Sequence, residues 1–198
     1  MNYEELILSL YENQMIKFGE FVLKSGQPSY IYADIRTAMS YPYIFKTICD
    51  MFYKEMEGLK YDFICGVPYS ALTFASGIAY AHNIPMLLKR KEAKGYGTKK
   101  VLEGAYNKNQ RVLILEDVVT SGASILETTG ILEDNGLEVK DICFLMDRNQ
   151  GGVDILRNLG YNVKSLMDIK TVIDVLHKNH KISDLDKKLA LNSLVRVN

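Results

Sequence analysis

The feature that most constrains the fold is an apolar run that leads directly into two acids and a small turn. Residues 111–124 read Arg-Val-Leu-Ile-Leu-Glu-Asp-Val-Val-Thr-Ser-Gly-Ala-Ser. The β-branched and aliphatic run Arg111–Leu115 is typical of a parallel strand that is covered on both faces. The turn after it leads into a helix that we expect to begin near Ser124. The segment therefore predicts a strand–turn–helix unit of an α/β sheet.

The turn has the chemistry of a phosphate-binding loop. At a helix N-terminus, unpaired amides and the positive end of the helix dipole favour an anion, and Gly122 lets the backbone approach it closely. The hydroxyls of Thr120–Ser124 can add further donors. Glu116 and Asp117 can accept hydrogen bonds from the two hydroxyls of a ribose, directly or through water or a metal ion. One loop would then hold a sugar and its 5′-phosphate.

Two simpler explanations of this segment stay open. Ser124-Ile-Leu-Glu127 fits a capping box, so the hydroxyls could serve only to begin a helix, and the two acids could be solvated. The full pattern is more specific, because it resembles the signature of type I phosphoribosyltransferases. The sequence has neither a Walker loop nor a Gly-x-Gly-x-x-Gly fingerprint, which are the usual sequence signs of ATP hydrolysis and dinucleotide binding. The motifs therefore do not favour either function.

The rest of the chain alternates strand-like and helix-like segments. Strands are expected near Phe63–Val67, Met86–Lys89, Arg111–Glu116, Ile142–Met146 and Val163–Leu166. Helices are expected at Tyr43–Glu57, Ser70–His82, Ser124–Asn135, Gly152–Leu159, Ile169–His177 and near Leu185–Leu194. This order predicts an α/β fold with a doubly wound parallel sheet. Residues 1–41, which include the amphipathic segment Tyr3–Met15, do not follow this alternation and are expected to form a hood over the sheet. The 198 residues are expected to form a single domain.

Composition argues against several functions. The 24 basic residues balance the 24 acidic ones, so no overall field favours nucleic acid. Cys49, Cys65 and Cys143 stand apart in apolar surroundings, as expected of core thiols in a reducing compartment. The three histidines form no metal-ligand pattern. No apolar run is long enough to span a membrane, so we expect a cytoplasmic protein without a membrane or nucleic-acid partner.

Two further segments suggest anion binding. Residues 64–72 break a strand at Gly66 and turn through Pro68 into a helix, so their amides could cradle a pyrophosphate, although any strand-to-helix turn can use Gly and Pro. Residues 89–100 carry six basic residues and one acidic residue. That segment could be a solvated loop, a nucleic-acid contact or a flap over an anionic substrate. We favour the flap, because its lysines can neutralise a departing pyrophosphate while excluding water.

Separated motifs in one order extend the resemblance to almost the whole chain. They are Phe21-Val-Leu-Lys-Ser-Gly26, Tyr30-Ile-Tyr-Ala-Asp-Ile-Arg36, Arg90-Lys-Glu-Ala-Lys-Gly-Tyr-Gly97, Glu116-Asp-Val-Val-Thr-Ser-Gly122 and Asp147-Arg148. Together they resemble the orotate phosphoribosyltransferase family, including that domain of eukaryotic UMP synthases. The resemblance implies a type I phosphoribosyltransferase fold, with the core sheet over about residues 60–170 and the hood over 1–41. It also implies a homodimer with shared active sites.

The implied reaction belongs to de novo pyrimidine synthesis. 5-Phosphoribosyl 1-pyrophosphate (PRPP) and orotate would give orotidine 5′-monophosphate and pyrophosphate. Magnesium would be held mainly by PRPP or pyrophosphate, with a water-mediated contact to Glu116 or Asp117. Such a displacement requires a positioned ribose, a neutralised leaving group and a held base, and it needs no protein nucleophile.

The resemblance assigns roles to individual residues. Lys94 and Asp117 would be catalytic. PRPP would contact Tyr69, Ser70, Arg90, Lys91, Lys94, Tyr96, Glu116, Asp117, Val118, Val119, Thr120, Ser121, Gly122, Ala123 and Ser124. Orotate would contact Lys24, Thr120 and Arg148. Many bacterial members have His where this chain has Tyr96 and Lys where it has Ser70, so the roles of those two positions stay open.

The residues themselves leave alternatives. Lys24 and Arg36 could be surface charges, and Arg148 could pair with Asp147 or Asp154. Three functions are therefore considered: the orotate enzyme, a phosphoribosyltransferase for another base, and a PRPP-sensing regulator that binds nucleic acid. The regulator has the least support, because this charge-balanced sequence shows neither a recognition helix nor an extended basic face.

Overall fold

The computed structural model describes residues 1–22, 26–91 and 101–194. The strands in chain order are β1 (Ile16–Val22), β2 (Pro28–Ala33), β3 (Phe63–Gly66), β4 (Met86–Lys89), β5 (Leu102–Glu103), β6 (Arg111–Val119), β7 (Glu138–Asp147) and β8 (Asn162–Asp168). β1 and β2 form an antiparallel hairpin, and the other six form one sheet in the order β5-β4-β3-β6-β7-β8. All neighbours in this sheet are parallel except β4 and β5. The predicted α/β class is confirmed.

Helices cover both faces of the large sheet. They are α1 (Tyr3–Glu12), α2 (Pro42–Glu55), α3 (Ser70–His82), α4 (Ala123–Asp134), α5 (Gly152–Asn158), α6 (Ile169–Lys178) and α7 (Asp184–Asn192), with a 3-10 turn over Ile35–Ser40. Apolar side chains of α1, α2, α3 and α6 form the core on one face, whereas those of α4 and α5 form it on the other. This is the layered arrangement that a buried parallel sheet requires.

Strand β6 shows why its sequence is apolar without alternation. Successive side chains of a strand point to opposite faces. Leu113 and Leu115 accordingly join the core beneath α2 and α3, while Val112 and Ile114 join the core beneath α4. Because both faces are covered, Val112 to Leu115 are all buried, and the first polar residue after the exposed Arg111 is Glu116.

The predicted elements are confirmed, with differences at their ends. β6 continues beyond Glu116 to Val119, since pairing with β7 carries the strand through the acidic pair. β7 begins at Glu138 rather than near Ile142, because its first residues are partly polar and give a weak apolar signal. β5 was not predicted, since two residues carry no periodicity. The expected hood consists of α1 and the β1–β2 hairpin.

The prediction that the three cysteines are core thiols is confirmed as well. Cys49, Cys65 and Cys143 are free and buried. Burial raises the pKa of the Cys65 thiol to about 11, which keeps it protonated and unreactive at neutral pH. Within the described ranges, no helix has the length and apolar content that crossing a membrane would require.

Gly66 allows α3 to approach the end of β3. A Cβ atom there would lie 2.4 Å from the carbonyl oxygen of Ala71, which is backbone and cannot move aside cheaply. We expect Gly66→Ala to lower the free energy of unfolding by about 1–3 kcal/mol. Gly130→Ala is the matched control, because a Cβ at Gly130 in α4 meets nothing within 4 Å. The control should raise stability by about 0.5–1 kcal/mol.

Urea unfolding monitored by circular dichroism measures both variants. Equal stability changes for Gly66→Ala and Gly130→Ala would contradict the packing argument, because only a helix-propensity effect would then remain.

Candidate functional site

The carboxyl ends of three neighbouring strands carry most of the described candidate residues. β3 leads into residues 67–70, β6 ends beside the turn at 120–124, and Arg148 follows β7. Since β3, β6 and β7 are adjacent and parallel, their ends lie at one edge of the sheet. Backbone bonds fix the spacing: the Arg148 amide donates to the Val119 carbonyl at 3.0 Å, and the Gly152 amide to the Thr120 carbonyl at 2.9 Å. The two candidate anion-binding turns and Arg148 therefore lie at the same edge of the sheet.

The two acids at the end of β6 have different environments. Glu116 is only 4% exposed. Its carboxylate accepts hydrogen bonds from the Asp117 amide at 2.9 Å and from the Ser124 hydroxyl at 2.8 Å. Burial, followed by the neighbouring Asp117 charge, raises the pKa of Glu116 well above its ordinary range. Asp117 is only partly buried, so it is the acid more accessible to a ligand. The solvated-acid explanation is therefore wrong for Glu116.

The turn after β6 begins its helix without the capping box. α4 begins at Ala123, and its N-cap Gly122, with φ 78°, provides no side-chain hydrogen bond. Ser124 instead donates to Glu116, and Glu127 accepts from Lys89. The Ala123 amide makes only a long 3.4 Å hydrogen bond to the Ser121 hydroxyl. The helix start is thus arranged so that an anion could complete the cap.

The turn after β3 presents a second helix N-terminus. Ser70 begins α3, and its buried hydroxyl has no hydrogen-bond partner among the described residues. Tyr69 is exposed, and the Lys91 ammonium lies 5.5 Å from the centroid of its ring. Pro68 and Tyr69 also face Arg90 and Lys91 across a cavity of about 280 Å³. The structure therefore brings this turn against the start of the cationic segment.

The ends of the cationic segment are held together by the β4–β5 hairpin. The Arg90 amide donates to the Val101 carbonyl at 2.7 Å, and the Arg90 guanidinium pairs with Glu103 at 2.9 Å. Lys94 and Tyr96 lie outside the described residues, as does Lys24. The sequence patterns gave no sign of this hairpin, because β5 is too short to recognise by periodicity.

Arg148 is a buried cation held by the hood. It is 3% exposed, and one of its terminal nitrogens donates to the Ser29 hydroxyl and to the Ile31 carbonyl, each at 3.1 Å. Its Nε has no partner, and in the described part of the chain no carboxylate lies within ion-pair distance of it. Burial lowers the pKa of Arg148. The ion pair with a neighbouring acid, which the sequence left open, does not form.

Arg36 was missed as a neighbour of the site. Both guanidinium contacts to Asp34 measure 2.7 Å. Hydrogen bonding to Asp34, and to a smaller extent the charge of Asp117, raises the pKa of Arg36. The 3-10 turn after β2 therefore brings a second fixed cation towards the acids of β6. Its place in the Tyr30–Arg36 motif was the only sequence signal.

Comparison with known proteins agrees with this arrangement. Residues 41–179 match the family model described as phosphoribosyl transferase domain. The orotate phosphoribosyltransferase of Chlamydia caviae is 34% identical, with 96% of both chains covered. The chain belongs to the orotate phosphoribosyltransferase family. The uridine 5′-monophosphate synthase of Bos taurus is 44% identical over 90% of this chain, which spans 38% of that protein.

A solved structure supports the fold assignment. The UMP synthase of Leishmania donovani superposes with a TM-score of 0.89 and 33% identity, covering 98% of this chain and 42% of that one. The predicted type I phosphoribosyltransferase fold is confirmed. This chain therefore spans less than half the length of the UMP synthases that it resembles, and nearly all of the chlamydial family member.

The raised pKa of Glu116 predicts a pH-dependent stability difference. The unfolded chain releases this proton near the ordinary pKa of 4.5, whereas the folded protein retains it to higher pH. Wild-type stability should therefore fall as pH rises through the folded-state pKa of Glu116. Glu116→Gln removes the ionisation, so its stability advantage over wild type should grow from acidic towards neutral pH.

Urea unfolding across that pH range measures the difference. Glu133→Gln, which removes an exposed acid from α4, controls for the loss of one negative charge. A Glu116→Gln curve parallel to wild type at every pH would show that Glu116 ionises in the folded protein as it does in the unfolded chain.

Proposed function

We propose that this chain transfers the phosphoribosyl group from PRPP to orotate. The observation that carries the proposal is the buried Arg148 guanidinium, which has no carboxylate partner among the described residues. The backbone amide of Arg148 donates to the Val119 carbonyl, directly before the turn at 120–124. A buried charge without a counter-ion is costly, so such a group is well suited to an anionic ligand. Orotate is a planar carboxylate, and a guanidinium offers it a matching planar fork.

The phosphoribosyl group would bind over the ends of β6 and β3. The start of α4 would receive the 5′-phosphate, with Thr120 to Ser124 as donors. Val118 and Val119, which are the last residues of β6 and pack against the core, would hold this turn in place. Asp117 would accept from the ribose hydroxyls, supported by the buried Glu116. The start of α3, with Tyr69 and the unpartnered Ser70 hydroxyl, would receive the pyrophosphate.

In the proposed reaction the bond between the anomeric carbon and the pyrophosphate oxygen breaks, and a bond from that carbon to the base nitrogen forms. The proton on that nitrogen leaves to the departing pyrophosphate or to solvent. Arg90 and Lys91 at the base of the cationic segment would neutralise the departing pyrophosphate. By the resemblance, Lys94 and Tyr96 would also contact the pyrophosphate. Lys24 would contact orotate. The fixed pair of Arg36 with Asp34 would help to orient Asp117.

The acids at the end of β6 fit a magnesium ion that binds together with the substrate. Within the described residues, no group of three or more His, Cys, Asp or Glu side chains could hold a metal ion. Magnesium commonly binds through one or two carboxylates together with substrate phosphates. Asp117, or Glu116 through water, would supply the protein contact, and the ion would neutralise pyrophosphate charge when bound.

A spectroscopic assay of orotate loss tests the proposal. Orotate should be consumed in the presence of PRPP and magnesium, with hypoxanthine and uracil as control bases. Turnover of another base alone would identify a different phosphoribosyltransferase. PRPP binding without turnover of any base, together with nucleic-acid binding, would support the regulator instead.

Arg148→Ala should weaken the binding of orotate much more than the binding of PRPP. The loss of charge-assisted hydrogen bonds predicts about 1.5–3 kcal/mol, or roughly a tenfold to hundredfold rise in KM for orotate. KM for PRPP should change little, because both phosphate turns follow other strands. Arg111→Ala is the control, since Arg111 begins β6 at the opposite edge of the sheet. Equal losses for both substrates would assign Arg148 a structural role.

We also propose a homodimer in which Lys94 of the cationic segment 90–100 serves the neighbouring subunit's site, whereas Arg90 and Lys91 at its base face the pyrophosphate turn of their own subunit. Lys94→Ala and Asp117→Asn chains, each inactive alone, should then complement each other after subunit exchange. One site of each mixed dimer has both residues intact, and random exchange makes half the dimers mixed, so about a quarter of all sites should recover. If native mass spectrometry confirms exchange while activity stays at the parental level, the sites are not shared.

A further inference from the structure

Lys89 is a buried lysine for which the proposed chemistry has no role. It is the last residue of β4 and is 4% exposed. Its ammonium pairs with the Glu127 carboxylate at 2.6 Å, and the Glu127 side chain is 61% exposed. Lysine is rarely buried this deeply without a specific reason. The unequal burial makes this pair a cation fixed inside the protein by an acid at its surface.

The two partners belong to the two segments that would hold opposite ends of PRPP. Lys89 directly precedes Arg90 and Lys91, which face the turn after β3. Glu127 lies on α4, whose first residues form the proposed 5′-phosphate site. Lys89 shares its side of β4 with Leu87, which belongs to the core covered by α4. The Lys89–Glu127 ion pair therefore connects the end of β4 directly to the phosphate-binding helix.

We infer that Lys89 is a positioning residue, which sets Arg90 and Lys91 at the correct distance from the α4 N-terminus by pairing with Glu127. The inference rests on the proposed function, because it concerns how PRPP is held. Since a ligand that contacts both segments is sensitive to their separation, loss of this link should weaken PRPP binding. The binding of orotate, which Arg148 would hold at the end of β7, should be unaffected.

The unequal burial allows positioning to be separated from simple stability. Lys89→Met keeps the length of the side chain and leaves Glu127 free to be solvated, so the variant should fold with unchanged or raised stability. Glu127→Gln leaves a buried ammonium without its counter-ion and should be less stable. A purely structural ion pair would not predict a stable Lys89→Met variant with defective PRPP binding.

The experiment measures PRPP affinity by calorimetric titration with magnesium, KM for each substrate, and the unfolding temperature. For Lys89→Met we expect roughly a tenfold rise in the Kd and KM for PRPP, within the coupling range of residues in one network. KM for orotate should not change, and Lys89→Arg should restore most of the affinity. In a Glu127→Gln background, Lys89→Met should have a smaller effect on PRPP. Lys187→Met is the control, because Lys187 makes a 2.7 Å ion pair with Asp174 away from the site.

A Lys89→Met protein that binds PRPP as wild type does would overturn the inference. So would equal losses for both substrates, or a Lys89→Arg variant as defective as Lys89→Met. Failure of the proposed function is distinguishable, because it would appear as wild-type protein that does not consume orotate. The PRPP titration tests Lys89 whichever base the protein uses, and a wild-type protein that does not bind PRPP would overturn the inference as well.

Discussion

The parallel pairing of β3, β6 and β7 is the constraint on which the rest of the structure depends. It places two helix N-termini and one buried arginine at a single edge, although their residues are far apart in the chain. Such an edge is where ligands bind in open α/β sheets. The pairing is strong enough to carry β6 through Glu116 and Asp117, which fixes the acids by backbone geometry rather than by a loop.

Charge burial is the second common element. Glu116, Arg148 and Lys89 are each at most 4% exposed and lie at or near this edge. Their surroundings differ. Glu116 accepts hydrogen bonds from a backbone amide and a hydroxyl, and Lys89 pairs with a surface carboxylate. Within the described ranges, Arg148 donates only to neutral oxygens. Of these three buried groups, Arg148 is therefore the one whose positive charge is left for a ligand to neutralise. The proposed function depends most on it for this reason.

The sequence could predict the features that depend on local pattern. Apolar runs located the strands of the core, and the acid–hydroxyl order identified the β6 turn. Features that depend on tertiary contact were missed: β5 exists because it pairs with β4, and Glu127 serves Lys89 rather than a capping box. The contact of Arg148 with Ser29 likewise joins residues that are 119 positions apart. No spacing rule predicts such a contact.

The hood can be linked to base selection by the same contacts. Phosphate turns that recognise a sugar phosphate cannot distinguish one base from another, so discrimination has to come from groups that touch the base. If Arg148 holds orotate, its orientation is set by the Ser29 hydroxyl and the Ile31 carbonyl of β2. β2 is itself held to α7 by the hydrogen bond from Tyr30 to Asp186 at 3.0 Å. Specificity would then depend on the N-terminal hairpin and a C-terminal helix, while the core sheet supplies the chemistry common to the family.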